Sequence, residues 1–444
     1  MEQVIGGIDA GADAGPWSAM PFRFVHTADL HLDSPLRSLA LKNPELADLV
    51  RGATRTALAR IVDLCLAENV DALLIAGDLY DGSQTSMNTA LYLSGELRRL
   101  EAAGIGVFLI RGNHDSQSAM TRELTFPANV HVFAGRAKPV LAKALGDGRG
   151  VHIHGISFAN PHAPDSLLPS FHPPVADAVN IGLLHTSLAG TPGHDPYAPT
   201  SVAELSRHGF DYWALGHVHL RQVHAQAPLI VMPGMPQGRD INEAGPKTVT
   251  LVTIDDDGTF AHREHPIGQA VFERLAIDLT GAQDWRQMLE KVGDALASLR
   301  NEAGADHLIL RIALTGTTPL AWKLRRDPDF LLAEITNLAA GLNGCWVEKV
   351  DIACRGVETG TALTGPDPVE ELADLIRTDV LASHAFRLEA AALVDELLLQ
   401  LPRELRDSLA GDEQAAGILT QALALAGSDD VLAYLHGSDA EADR

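Results

Sequence analysis

Five short clusters in this chain of 444 residues carry side chains that can ligate metal: Asp29-x-His31, Gly77-Asp78-x-x-Asp81, Gly112-Asn113-His114-Asp115, His185, and Gly216-His217-x-His219. Imidazole nitrogens with carboxylate and amide oxygens suit first-row divalent metals. A carboxylate shared by two ions about 3.5–4 Å apart sets up a bridging hydroxide for in-line attack on phosphorus. The set is therefore expected to form a binuclear hydrolytic site. A lone D-x-H is common text, and GNHD or GHVH alone is a weak signal. All five in this order, each behind an apolar run, are not an accident of composition.

The elements that must position these clusters follow from the text before them. FRFVHTAD, DALLIAGD, GVFLIRGNHD, VNIGLLH and DYWALGHVH are apolar runs ending in polar groups, and amphipathic helical stretches separate the first three. That alternation predicts an α/β sheet with every cluster at a strand's carboxyl end, where open α/β sheets hold their ligands. Gly77, Gly112 and Gly216 sit where the chain must turn sharply and bring backbone close to the metals. TVTLVTIDDDGTFAHREH predicts a hairpin turning at Asp257-Gly258.

Near Gln269 the text changes. ERLAIDLTG, a helix around Trp285 to Arg300, HLILRIALTG, a helix near Asp329 to Leu342 and CWVEKVDIAC predict a small β-α-β-α-β domain over 269–356. A Gly/Thr/Pro linker follows, and residues 366–444 are expected to be helical throughout. Residues 1–20 are rich in Gly, Ala and Asp without periodicity and predict a disordered lead-in, so the main domain is placed at 21–268.

The remaining polar candidates leave alternatives open. His152 and His154 alternate on VHIHGIS and more simply line a strand face. His194, in a Pro/Gly loop, either faces substrate or is an ordinary loop histidine. Arg111 meets phosphate or pairs with the site's acids. Arg239, glycine-flanked in PQGRDINEAG, is suited to a forked phosphate contact, against a plain salt bridge.

Composition bounds the rest. The net charge is −24, awkward for a nucleic-acid binder, but 17 acidic and 5 basic residues fall between Pro366 and Arg444, so half of the excess lies in the tail. Three cysteines without a CxxC pair point away from a disulfide framework. No run is long and apolar enough for a membrane span, and the first 20 residues lack a signal peptide's basic and apolar regions. A protein of the reducing cytoplasm, away from membranes, is expected.

Over roughly 22–255 the five clusters resemble the calcineurin-like metallophosphoesterases. Within them FVHTADLHLDSPL, IAGDLYD, GLLHTSLAG, ALGHVH and PGMPQGRDINEAG are similar to SbcD-type DNA repair nucleases, in particular the bacterial YhaO-like branch. The resemblance implies a four-layer α-β-β-α sandwich, a small α+β capping domain that contacts DNA, and a helical C-terminal tail. It implies one metal held by Asp29, His31, Asp78 and His219 and another by Asp78, Asn113, His185 and His217, with Asp78 bridging. It makes His114 the catalytic histidine and Asp115 its orienting partner, with two manganese ions as cofactor. Archaeal and eukaryotic relatives often have His where this chain has Asp81, leaving Asp81 a supporting acid here.

The leading function is a DNA exonuclease subunit working with an SbcC-like coiled-coil ATPase, with a homodimer as a further possible assembly. A small-molecule phosphodiesterase or phosphatase would use the same clusters, and the separate capping domain favours DNA. A scaffold with a dead site is disfavoured by the complete ligand set.

Overall fold

A computed structural model describes residues 21–34, 44–81, 86–115, 126–160, 163–188, 197–357, 368–402, 405–406 and 409–439. The lead-in over 1–20, His194 and most of the linker after residue 356 lie outside them. The chain divides into two compact units. One runs to Glu273 and includes Gly304–Leu308; the other takes Arg274–Ala303 and the chain from Ile309 onward.

The first unit is built on two six-stranded sheets. One contains β1 (Phe22–Thr27), β2 (Ala72–Ala76), β3 (Gly106–Ile110), β4 (Val130–Val132), β11 (Thr248–Ile254) and β12 (Phe260–Pro266), in the order β12-β11-β1-β2-β3-β4. The other contains β5 (Val140–Ala144), β6 (Gly150–Gly155), β7 (Val179–His185), β8 (Tyr212–Gly216), β9 (Gln222–Gln226) and β10 (Leu229–Met232), in the order β5-β6-β7-β8-β10-β9. All seven residues of β7 are buried, as a strand covered on both faces requires.

Three cores set the layers. Phe24, Leu74, Phe108, Ile181, Leu183 and Tyr212 pack between the sheets. Helix α1 (Pro44–Ala67) and α2 (Met87–Ala102) cover the first sheet, α1 burying Leu58, Ile61, Val62 and Cys65 at helical spacing. Helix α3 (Val202–His208) covers the second through Leu205, Phe210 and Trp213. This is the expected α-β-β-α order. The β11–β12 hairpin turns through Gly258, φ 85°. His154 is a core residue, its Nε2 3.0 Å from Asn180 Oδ1.

The second unit carries most of a three-stranded sheet in the order β13-β14-β15, from β13 (Ala270–Asp278), β14 (His307–Thr315) and β15 (Cys345–Ile352). Helices α4 (Trp285–Glu302), α5 (Ala321–Arg326) and α6 (Pro328–Ala340) accompany it. The tail forms α7 (Pro368–Leu375), α8 (His384–Leu399) and α9 (Glu413–Asp439). It is not a separate unit, because α9 packs on α5 as well as on α7 and α8. Among its described residues few side chains are sealed, among them Val394, Leu398, Leu432 and Ala433, whereas Leu388 is 60% and Leu399 70% exposed. Among the described residues no helix is long and apolar enough to cross a membrane, and all three cysteines are buried free thiols.

Candidate metal centre

Parallel pairing of β1 with β2, β2 with β3, and β7 with β8 brings the carboxyl ends of these strands together. The loops after β1 and β2 then run side by side: Asp29 N donates to Gly77 O (3.0 Å) and His31 N to Asp78 O (3.1 Å). His185 Nδ1 spans from one sheet to the other, donating to Ala76 O at 2.9 Å. Space is tight enough to demand glycine. A Cβ on Gly112 would lie 2.1 Å from Asp78 Oδ1, and one on Gly216 2.1 Å from Ala76 O.

Four of the expected ligands sit in left-handed backbone: Asp29 (φ 52°), His31 (φ 42°), Asp78 (φ 51°) and His217 (φ 103°). Such conformations cost L residues on the order of 1–3 kcal/mol each and persist only where surrounding structure enforces them. The strain turns their side chains into one place.

There the geometry suits cations. His31 Nε2 and His219 Nε2 lie 3.2 Å apart, and both join Asp29 in a group of potential ligand atoms; Asp29, Asp78 and His185 form a second. Asp29 is common to both groups, and Asp78 Oδ2 of the second lies 4.0 Å from His31 Nε2 of the first and 3.4 Å from His185 Nε2. With Nδ1 committed to Ala76, His185 Nε2 directs a lone pair at Asp78 and at Asn113 Oδ1, 3.0 Å away. Three electron-rich atoms in one spot require a proton or a metal ion. Although burial opposes charge on His185, the Asp78 carboxylate holds its titration up at about 9. Burial pushes Asp29 up to about 6 and pulls His31 down to about 3. His217 donates its backbone N–H to both Asp29 oxygens, at 3.2 and 3.0 Å, with its ring against His185 and Tyr197. The residues present thus fit a divalent centre.

The structure corrects the partner expected for His114. His114 Nδ1 lies 3.0 Å from Asp81 Oδ1, and this hydrogen bond raises its pKa. Asp115 is turned away, accepting the backbone N–H groups of Leu79 (3.0 Å), Tyr80 (2.9 Å) and Gly112 (3.3 Å). It fastens the metal-bearing loops, and burial pushes its carboxyl up to about 6. The neighbour in sequence was not the neighbour in space.

For Arg239 the salt-bridge alternative is the one seen. Its guanidinium donates to Glu243 Oε1 at 2.6 Å and lies 3.7 Å from Asp81 Oδ2, so it is engaged with acids and not presented as a phosphate fork. Glu243, which sequence reasoning missed, accepts from His219 Nδ1 at 2.9 Å. Its one signal was the four-residue spacing from Arg239. Also missed were Ser34, donating to Asp81 at 2.6 Å, Tyr197, and Phe158, whose ring meets His185 edge to face. Arg111 is half-buried beside Gly112, its backbone N–H donating to Ser157 Oγ at 2.9 Å.

Comparison with known proteins gives the family. Residues 22–221 match the profile of the calcineurin-like phosphoesterases, and 272–355 that of the metallophosphoesterase YhaO middle domain. The chain is 33% identical over 298 residues to the uncharacterized metallophosphoesterase YhaO of Bacillus subtilis, covering 67% of this chain and 72% of that protein. It is 26% identical over 208 residues to the DNA double-strand break repair protein Mre11 of Sulfurisphaera tokodaii, a match spanning 45% of this chain and half of that protein. Among solved structures, a dimetal phosphatase from Danio rerio aligns over 55% of this chain and 96% of its own, with 12% identity and a TM-score of 0.35. The chain belongs to the calcineurin-like metallophosphoesterases, a family of metal-dependent phosphoester hydrolases.

Proposed function

We propose that this metallophosphoesterase is a phosphodiesterase acting on DNA, an exonuclease of the SbcD type that uses two manganese ions in the cytoplasm. The observation that carries the hydrolytic part is the convergence of His31, His219, Asp29, Asp78, His185 and Asn113 on one spot at the strand ends. Asp29, His31, Asp78 and His219 would hold one ion and Asp78, Asn113, His185 and His217 the other. Bound there, the ions supply Lewis-acid activation of the phosphate and a hydroxide nucleophile at neutral pH. His114 is the group for proton exchange: with Nδ1 committed to Asp81, Nε2 is left to serve the phosphate or leaving oxygen.

DNA as substrate is supported by the likeness to Mre11, a protein named for double-strand break repair, and by the separate domain over 272–355. An SbcC-like coiled-coil ATPase as partner is supported by the tail's exposed apolar rows at Leu388, Leu393 and Leu397, set in acidic helices that suit a groove with basic rims. The competing reading is a small-molecule phosphodiesterase, favoured by the engagement of Arg239 with Glu243, which removes one expected DNA contact. A time course on end-labelled duplex DNA beside bis-p-nitrophenyl phosphate, with manganese and with chelator, separates the two. Progressive shortening of DNA from its ends is expected; cleavage of the small diester alone overturns the DNA reading.

A further inference from the structure

We propose that Arg239 is a positioning residue that couples the proton-exchanging histidine to a metal-holding histidine, by gripping the carboxylates behind each of them. The inference rests on the metal-dependent hydrolase reading and deepens it.

The connections are continuous. On one side Arg239 Nη2 donates to Glu243 Oε1 at 2.6 Å, Nε lies 3.2 Å from both Glu243 oxygens, and the Arg239 backbone N–H donates to Oε2 at 2.8 Å. The same Oε1 accepts from His219 Nδ1. On the other side Nη1 lies 3.7 Å from Asp81 Oδ2 and 3.4 Å from Ser34 Oγ, and Ser34 donates to that Asp81 oxygen. The second Asp81 oxygen holds His114. Two imidazoles with different tasks therefore hang from one guanidinium.

The arrangement is too enclosed to be an ordinary surface pair. The Arg239 side chain is 19% and that of Glu243 11% exposed, so neither can swing into water without leaving a charge behind. Local structure fixes the grip: Asp240 accepts from Asn242 N at 2.7 Å, and buried Ile241 anchors the single 3₁₀ turn Ile241–Glu243 that returns Glu243 to Arg239. Only a planar fork can reach acids on two sides; a lysine ammonium is a single point charge. A carboxylate behind a metal-binding imidazole fixes its tautomer and rotation, and losing such support typically costs about 10–100-fold in metal affinity or activity.

The test uses the full chain with Arg239→Ala and Arg239→Lys, folding being checked by circular dichroism. Manganese binding is measured by calorimetry, and turnover on both bis-p-nitrophenyl phosphate and end-labelled duplex DNA. Arg239→Ala should weaken manganese binding by about 10–100-fold and lower turnover on the two substrates by the same factor. In the parent chain, Asp81→Asn and Glu243→Gln combined should fall short of the product of their separate effects by about 3–10-fold. In Arg239→Lys, which keeps the charge and is the informative variant if the alanine change unfolds the chain, the two effects should simply multiply. Unchanged metal binding with turnover lost on DNA alone would make Arg239 a DNA contact and overturn the proposal, as would multiplicative effects in the parent chain. A parent chain that binds no manganese and cleaves neither substrate would instead sink the hydrolase reading beneath it.

Discussion

The strand ends of the first unit and the helices of the tail break the same rule in opposite senses. At the strand ends, charged and polar groups are sealed: Asp29 and His185 have no exposed surface, and Asp78 has 2%. Along α8 and α9, leucines face water, and Ile418 is 63% exposed. Proteins seldom bury unpaired charge, nor do they commonly leave long apolar rows wet. The sense of each inversion indicates the missing counterpart: buried lone pairs call for a cation, exposed leucines for another apolar surface. On the function proposed above, catalysis would belong to the first region and assembly to the second.

The largest blow to that division is Asp78→Asn, which replaces a charged oxygen 4.0 Å from His31 Nε2 and 3.4 Å from His185 Nε2 by a neutral amide. Hydrolysis should fall to background and both manganese sites should weaken, as read by calorimetry; normal turnover with two ions bound would remove Asp78 from the centre. His114→Ala should leave metal binding intact and lower turnover by about 10²–10⁴, the range for a lost general acid or base. Collapse of metal binding in that variant would make His114 a ligand. Asp81→Asn should cost about 10-fold. Because the Asp81 hydrogen bond raises the pKa of His114, its loss should also move the His114 limb of the pH–rate profile toward acid; an unmoved limb would assign that limb to another group. The smallest catalytic effect is expected from ending the chain after Gly365. Turnover of bis-p-nitrophenyl phosphate should persist while co-elution with a coiled-coil ATPase is lost, whereas an inactive or insoluble product would show that α7–α9 serve their own chain.

Much of the centre was legible because ligand chemistry restricts residue type and close packing restricts shape. Asp29, His31, Asp78, His185 and His219 follow apolar strands, and Gly112 and Gly216 mark where no Cβ fits. The supporting acids were not legible. Asp115 adjoins His114 in the chain, yet its carboxylate is satisfied by three backbone amides, and Asp81 arrives from the neighbouring loop. Glu243 reaches His219 across 24 residues from a 3₁₀ turn with no periodic signature. In the fold, the alternating strands and helices were visible from Phe22 to Gly112. The short β4, β5 and β9 were not, since brief half-exposed strands carry too few apolar residues to stand out, and β10, though wholly apolar and buried, is only the four residues Leu229–Met232.

His31 and His219 face each other although 188 residues separate them along the chain. An ion held between such distant segments would act on the folding equilibrium as a reversible cross-link, because the unfolded chain cannot assemble the same donors. Occupancy at a hundredfold excess over Kd adds about 2.7 kcal/mol to the folded state, against strained backbone at Asp29, His31, Asp78 and His217 that pulls the other way. Supply of the metal would then govern the lifetime of the protein as well as its turnover, and starvation for it would mark the chain for unfolding before any substrate was met.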